Sequence, residues 1–221
     1  MEFSTRLVAI AAEFNMLPAA LDDKKNRELF NALSESHGLS SYNTINDNLI
    51  QMTGKKPPVS YHLAPDRMMI AYEFCEKTID YYKGMIKDFM NTFYRKTGTP
   101  LFLAHNISIR KIFNPGAGDG RAYLINKVFS ITDANLREFQ RPLHMMGTHI
   151  FFPGVEGGDL TAYDVKIESA MDDFRNIVVD SKAIFPLPID MRKGNNIEQS
   201  VDSAEKFVDN NIYKFLQSFS R

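Results

Sequence analysis

Eight residues, Asn114-Pro115-Gly116-Ala117-Gly118-Asp119-Gly120-Arg121, stand between the apolar run Ile107 to Phe113 and a helical pattern of Ala122, Ile125, Val128 and Phe129. A glycine-rich turn between a strand and a helix can aim backbone N–H groups at an anion, and the helix dipole adds to that attraction. Asn114, Gly116, Gly118, Asp119 and Gly120 are therefore the candidate cofactor-binding residues. The same residues also suit a plain connection, with Asp119 capping a helix that begins near Gly120. No Gly-Lys-Ser/Thr follows the glycines, which excludes a phosphate-loop NTPase.

The order Asn-Pro-x-Ala-Gly-Asp-Gly after a strand resembles motif I of the S-adenosylmethionine-dependent methyltransferases, particularly the adenine-N6 type. The resemblance covers Asn114 to Arg121. It implies S-adenosylmethionine lying over the turn, within a parallel sheet of alternating strands and helices. The chain departs from that family at Asn114, where an acid is usual. It departs again at Pro57-Pro58, which follows Lys56 and precedes Val59 instead of joining an amide to a stacking ring. The stretch after Leu143 reads as successive strands, hence as antiparallel hairpins.

Other reactive residue types are dispersed. His144 and His149, on one expected strand, point to opposite faces. His37, His62 and His105 are isolated, so no metal site is expected. Asp159, Asp164 and Glu168, with Asp172-Asp173 nearby, have the chemistry to hold magnesium or to work as acid and base, but on an alternating strand they form a solvated face. No serine lies in a nucleophile elbow and no helix carries His-Glu-x-x-His, so no catalytic residue is assigned. Cys75 is the one cysteine; it rules out an intrachain disulfide and, beside Met68 to Phe74, reads as a buried small hydrophobe.

The chain carries 26 Lys+Arg against 27 Asp+Glu, without a long basic run. Non-specific nucleic-acid binding rests on a concentrated positive field, so this balance makes it a secondary expectation, with Arg110, Lys111 and Arg121 as the candidate contacts. Tyr81-Tyr82 and Tyr94 with Arg95-Lys96 offer aromatic and basic groups together, although at helical spacing such rings mostly face a core. No apolar stretch approaches a membrane span, and no signal pattern opens the chain, so a soluble, cytoplasmic protein is expected.

Around these residues the hydrophobic pattern predicts a strand over 7–14, a helix over 24–35 capped by Asp22, and a strand over 42–52. Strands over 59–63 and 68–74 follow, then a long helix with Ile79, Tyr82, Ile86, Phe89 and Phe93 on one face. From Leu101 the order repeats: a strand to Phe113, a helix over 119–130, a short helix capped at Thr132, then strands over 143–152, 163–168 and 174–185. A final helix begins at Ser200 or Ser203. The expected fold is a single α+β domain over residues 1–221, mostly antiparallel sheet with helices on one face. Element order alone points to two βαββα halves, 5–98 and 100–221. The function expected first is a non-enzymatic binding module for a protein partner or a second copy, with S-adenosylmethionine binding and nucleic-acid binding as alternatives.

Overall fold

The structure, a computed structural model, describes residues 3–46, 48–116 and 118–220. Met1, Glu2, Asp47, Ala117 and Arg221, on which parts of the sequence reading fall, lie outside them. In chain order the elements are β1 (Ser4–Met16), α1 (Asp23–Ser34), β2 (Leu39–Asn46), β3 (Leu49–Lys55), β4 (Pro58–Ala64), β5 (Arg67–Glu73), α2 (Ile79–Thr97) and β6 (Leu101–Asn114). They continue as α3 (Gly120–Tyr123), α4 (Asp133–Arg137), β7 (Gly147–Phe152), β8 (Ala162–Ser169), β9 (Ile177–Phe185), β10 (Ile189–Asp190), α5 (Ile197–Lys206) and α6 (Tyr213–Ser218). A π-helical stretch, Phe207–Ile212, joins α5 to α6.

The two long strands β1 and β6 run antiparallel at the middle, with Ile10 opposite Ile109 and Phe14 opposite His105. The sheet is ordered β2-β3-β4-β5-β1-β6-β9-β8-β7, and β10 pairs with β6. All of these pairings are antiparallel. The order is balanced about the centre: β5 flanks β1 as β9 flanks β6. This is the expected α+β architecture.

Side chains alternate across the strands, so one face of the sheet is apolar and must be covered. Ile10, Phe14, Tyr61, Ile70, Ile107, Val165 and Val179 are buried there. The covering helices present the matching stripes, Ile79, Tyr82, Ile86, Phe89 and Phe93 from α2 and Ile197, Val201, Ala204 and Leu216 from α5 and α6. Each such large side chain contributes roughly 1.5–3 kcal/mol when fully withdrawn from water. The opposite face carries paired charges: Arg110 with Asp180, Lys166 with Glu168, and Lys182 and Arg67 with Glu13.

Several boundaries differ from expectation: the helix expected over 119–130 is α-helical only over Gly120–Tyr123 and continues as a π-helical stretch, Leu124–Val128, and four further differences have a local cause. The strand expected over 42–52 is two, β2 and β3, because Asn46 accepts the Asn48 N–H at 2.8 Å and turns the chain. β7 starts at Gly147, since the Leu143 and His144 carbonyls accept from Arg121 instead. β9 starts at Ile177, because Phe174 to Asn176 form the loop packed on the glycine turn. The last helix starts at Ile197, whose N–H donates to Asn195 Oδ1 at 3.1 Å.

Candidate functional site

The glycine turn is closed by its own side chains. Asn114 Oδ1 accepts the Gly116 N–H at 2.8 Å, and its amide donates to Asn176 Oδ1 at 3.1 Å. Gly116 and Gly118 hold positive φ values of 67° and 84°, the left-handed region that glycine enters without steric cost. Asp119 accepts the Ala122 N–H at 3.0 Å and is the N-cap of α3. The Gly120 N–H donates to the Phe174 carbonyl at 2.7 Å. A Cβ on Gly120 would sit 2.9 Å from the backbone of Asn176, so glycine here serves a close approach of two chain segments. Two amides that a cofactor cradle needs, those of Gly116 and Gly120, are thus engaged within the chain.

The three candidate nucleic-acid contacts do not meet. Arg110 points to the open face and pairs with Asp180. Lys111, its neighbour, points to the helix face, where its ammonium lies 2.7 Å and 2.8 Å from the two oxygens of Asp209 and 3.7 Å from Glu205. Burial pushes the Glu205 carboxyl up from its ordinary value, against the pull of Lys111. Arg121 stacks on Phe174 at 4.6 Å, donates to the Leu143 carbonyl at 3.1 Å and reaches Asp119 at 3.4 Å. Each cation already has its carboxylate.

The candidate carboxylates are similarly committed. Asp159 accepts from Thr161 N–H at 2.9 Å, Asp164 bonds His149, and Glu168 pairs with Lys166. Arg175 beside Asp173 holds that carboxyl at about 2. Among the described residues no group of three or more His, Cys, Asp or Glu side chains could hold a metal ion. Two histidines are buried in ways the sequence did not signal. His37 joins Tyr61 through Nδ1 and Asp88 through Nε2 at 3.0 Å, and burial lowers its pKa more than Asp88 raises it. His105 lies parallel to Phe185, ring centroids 4.7 Å apart.

One edge of the sheet, at β7, carries exposed apolar side chains. Its pairing with β8 runs from Gly147↔Glu168 to Phe152↔Tyr163 without a register shift. Among the described residues no strand follows it in the sheet order. The opposite edge, β2, is polar and carries two register shifts. Irregularity of that kind protects an edge from adding strands, and β7 lacks it. On β7, Phe151 is 58 % exposed and Phe152, on the other face of the strand, is exposed as well, as are Met145, Val155, Leu160 and Phe215. Ile150 and Phe152 from β7 and Val165 and Ile167 from β8 form one wall of a groove of about 490 Å³, and Phe207 and Phe215 form the other. Phe207 also stacks on Tyr163 at 3.7 Å and 9°.

Sequence reasoning found the strand and the apolar helix face but not that they frame a groove at an edge. One signal was present: Ile150-Phe151-Phe152 puts apolar residues on both faces, which a strand with one wet face does not need. No helix among the described residues is long and apolar enough to cross a membrane. The chain matches no protein-family model, and no curated protein matches it.

Proposed function

We propose that the chain is a binding module that receives an extended polypeptide segment along β7, and that a second copy of the same chain is its first partner. The observation that carries this reading is the undefended edge: a regular strand, last in the sheet order among the described residues, with Ile150, Phe151 and Phe152 on it and set beside an apolar groove. Backbone hydrogen bonds supply affinity in strand addition, and pockets for alternate side chains supply selectivity. Two β7 strands related by a two-fold axis are self-complementary, since each presents the same patch to the other. The exposed Phe151 and Phe152 then leave water together.

Nothing in this role calls for a cofactor or a catalytic residue. Cys75, free and buried, suits a reducing, cytoplasmic setting. Sedimentation equilibrium of the wild type and of Phe151→Lys tests the proposal. A concentration-dependent dimer that the variant loses, with unchanged thermal stability, supports it. A monomer at every concentration, together with no captured protein partner, removes it.

A further inference from the structure

A second concave site lies at the other half of the sheet, where the β3–β4 turn faces the loop between β5 and α2. The cleft measures about 590 Å³, within the range of small-molecule sites. Its lining includes three basic residues, Lys55, Lys56 and Lys77, against one acidic residue, Glu76. All three lysines are exposed, and none makes an ion pair among the described residues, unlike Arg110, Lys111 and Arg121.

Two exposed aromatic rings share this wall, with Tyr82 buried behind them. Phe74 is 71 % exposed and sits at φ 52°, a conformation that bulky side chains rarely adopt. Its neighbours fix it there: the Cys75 N–H donates to the Val8 carbonyl at 2.9 Å, and the Glu76 N–H donates to the Tyr82 hydroxyl at 3.1 Å. A ring held in a strained backbone and turned to solvent adds nothing to the core. Strain of this kind concentrates at ligand sites. Tyr81, edge-on to Tyr82 at 5.2 Å, supplies the second exposed ring.

We propose that this cleft binds a nucleoside phosphate, its base stacked on Phe74 and Tyr81 and its phosphates held by Lys55, Lys56 and Lys77. Stacking selects a flat π-system, and three separate ammonium groups select more negative charge than one carboxylate carries. A free nucleotide fits better than a nucleic-acid strand, because the charges on the adjoining sheet face are already paired and offer no track for further phosphates. This site is independent of the β7 edge.

Isothermal titration calorimetry on the full chain tests it with ATP, adenosine, inorganic triphosphate and a thymidine decanucleotide. ATP should bind more tightly than the other three, by about tenfold or more. Phe74→Ala should weaken ATP by about tenfold, and so should the triple variant Lys55→Gln, Lys56→Gln, Lys77→Gln; both should melt at the wild-type temperature. The proposal fails if folded protein gives no heat with millimolar ATP, or if Phe74→Ala binds ATP unchanged. It also fails if triphosphate or adenosine alone matches ATP, or if the decanucleotide binds tighter.

Discussion

Nε2 of His105 lies 2.7 Å from the hydroxyl oxygen of Ser200, which ties β6 to α5 across the core. The ring's other nitrogen is buried without a hydrogen-bond partner among the described residues. A proton there would create a buried cation with an unpaired donor, and burial pushes the pKa down from 6.5 to about 4. Because the folded value lies below the unfolded one, the unfolded chain binds the proton first as pH falls. The contribution of His105 is therefore complete above pH 6.5 and is lost as pH drops towards 4. We expect about 3 kcal/mol of pH-dependent stability from this group. Urea denaturation at pH 7 and pH 4 checks this: His105→Gln, which keeps a partner for Ser200 and cannot titrate, should lose less between the two than the wild type.

In the glycine turn, Gly120→Ala should be the most damaging change. Its Cβ would meet the backbone of Arg175 and Asn176 at 2.9–3.0 Å, and backbone yields less easily than a side-chain tip. A cost of roughly 2–3 kcal/mol is expected. Asp119→Ala removes the N-cap hydrogen bond and should cost about 1 kcal/mol. Gly118→Ala meets no atom within 4 Å but must hold φ +84°, and should cost about 1 kcal/mol. Chemical denaturation gives the ranking. Calorimetry with S-adenosylmethionine separates the two roles of the turn: a heat of binding in the wild type, lost in a stably folded Gly118→Ala, would establish a cradle.

Lys111 and Asp209 form a lopsided pair, the lysine side chain 9 % exposed and the aspartate 41 %. Removing Asp209 leaves the buried ammonium with Glu205 alone, at 3.7 Å, whereas removing Lys111 leaves a carboxylate that water can reach. Asp209→Ala should therefore cost about 2–3 kcal/mol, at the low end for a buried pair because Asp209 is partly solvated. Lys111→Met, which keeps the packed stem, should cost about 1 kcal/mol or less. A double-mutant cycle by urea denaturation reads the asymmetry. If Lys111 instead served nucleic acid, Lys111→Met would weaken retention on heparin, and no such loss is expected from a side chain beneath α5.

What the sequence disclosed follows how local each feature is. The stripe from Ile79 to Phe93 repeats every three or four residues, and Tyr163, Val165 and Ile167 alternate, so α2 and β8 were plain. Asp22, Asp119 and Thr132 cap helices through residues three positions away, and a linear reading reached them. Closure of the glycine turn depends on Phe174 and Asn176, over 50 residues downstream, and nothing at Asn114 to Arg121 announces them. The separation of Arg110 from Lys111 was available in principle, since adjacent residues on a strand face opposite ways. Which strands end the sheet, and hence the exposure of β7, is set by long-range pairing alone.

Phe74 offers a test in which stability and binding move in opposite directions. Holding a bulky residue at φ 52° costs about 1–2 kcal/mol, and its ring, 71 % exposed, returns little of that through burial. Phe74→Gly removes the strain at the expense of about 0.5–1 kcal/mol of extra backbone freedom in the unfolded chain. The net expectation is a gain of about 0.5–1 kcal/mol. Phe74→Ala keeps the strained φ and loses little contact, so it should stay within about 0.5 kcal/mol of wild type. Thermal melts of the three proteins separate backbone from ring: glycine above alanine and wild type indicates stored strain. Should Phe74→Gly melt lower than Phe74→Ala, the ring's exposure would need another cause, because the backbone would then not be resisting its conformation.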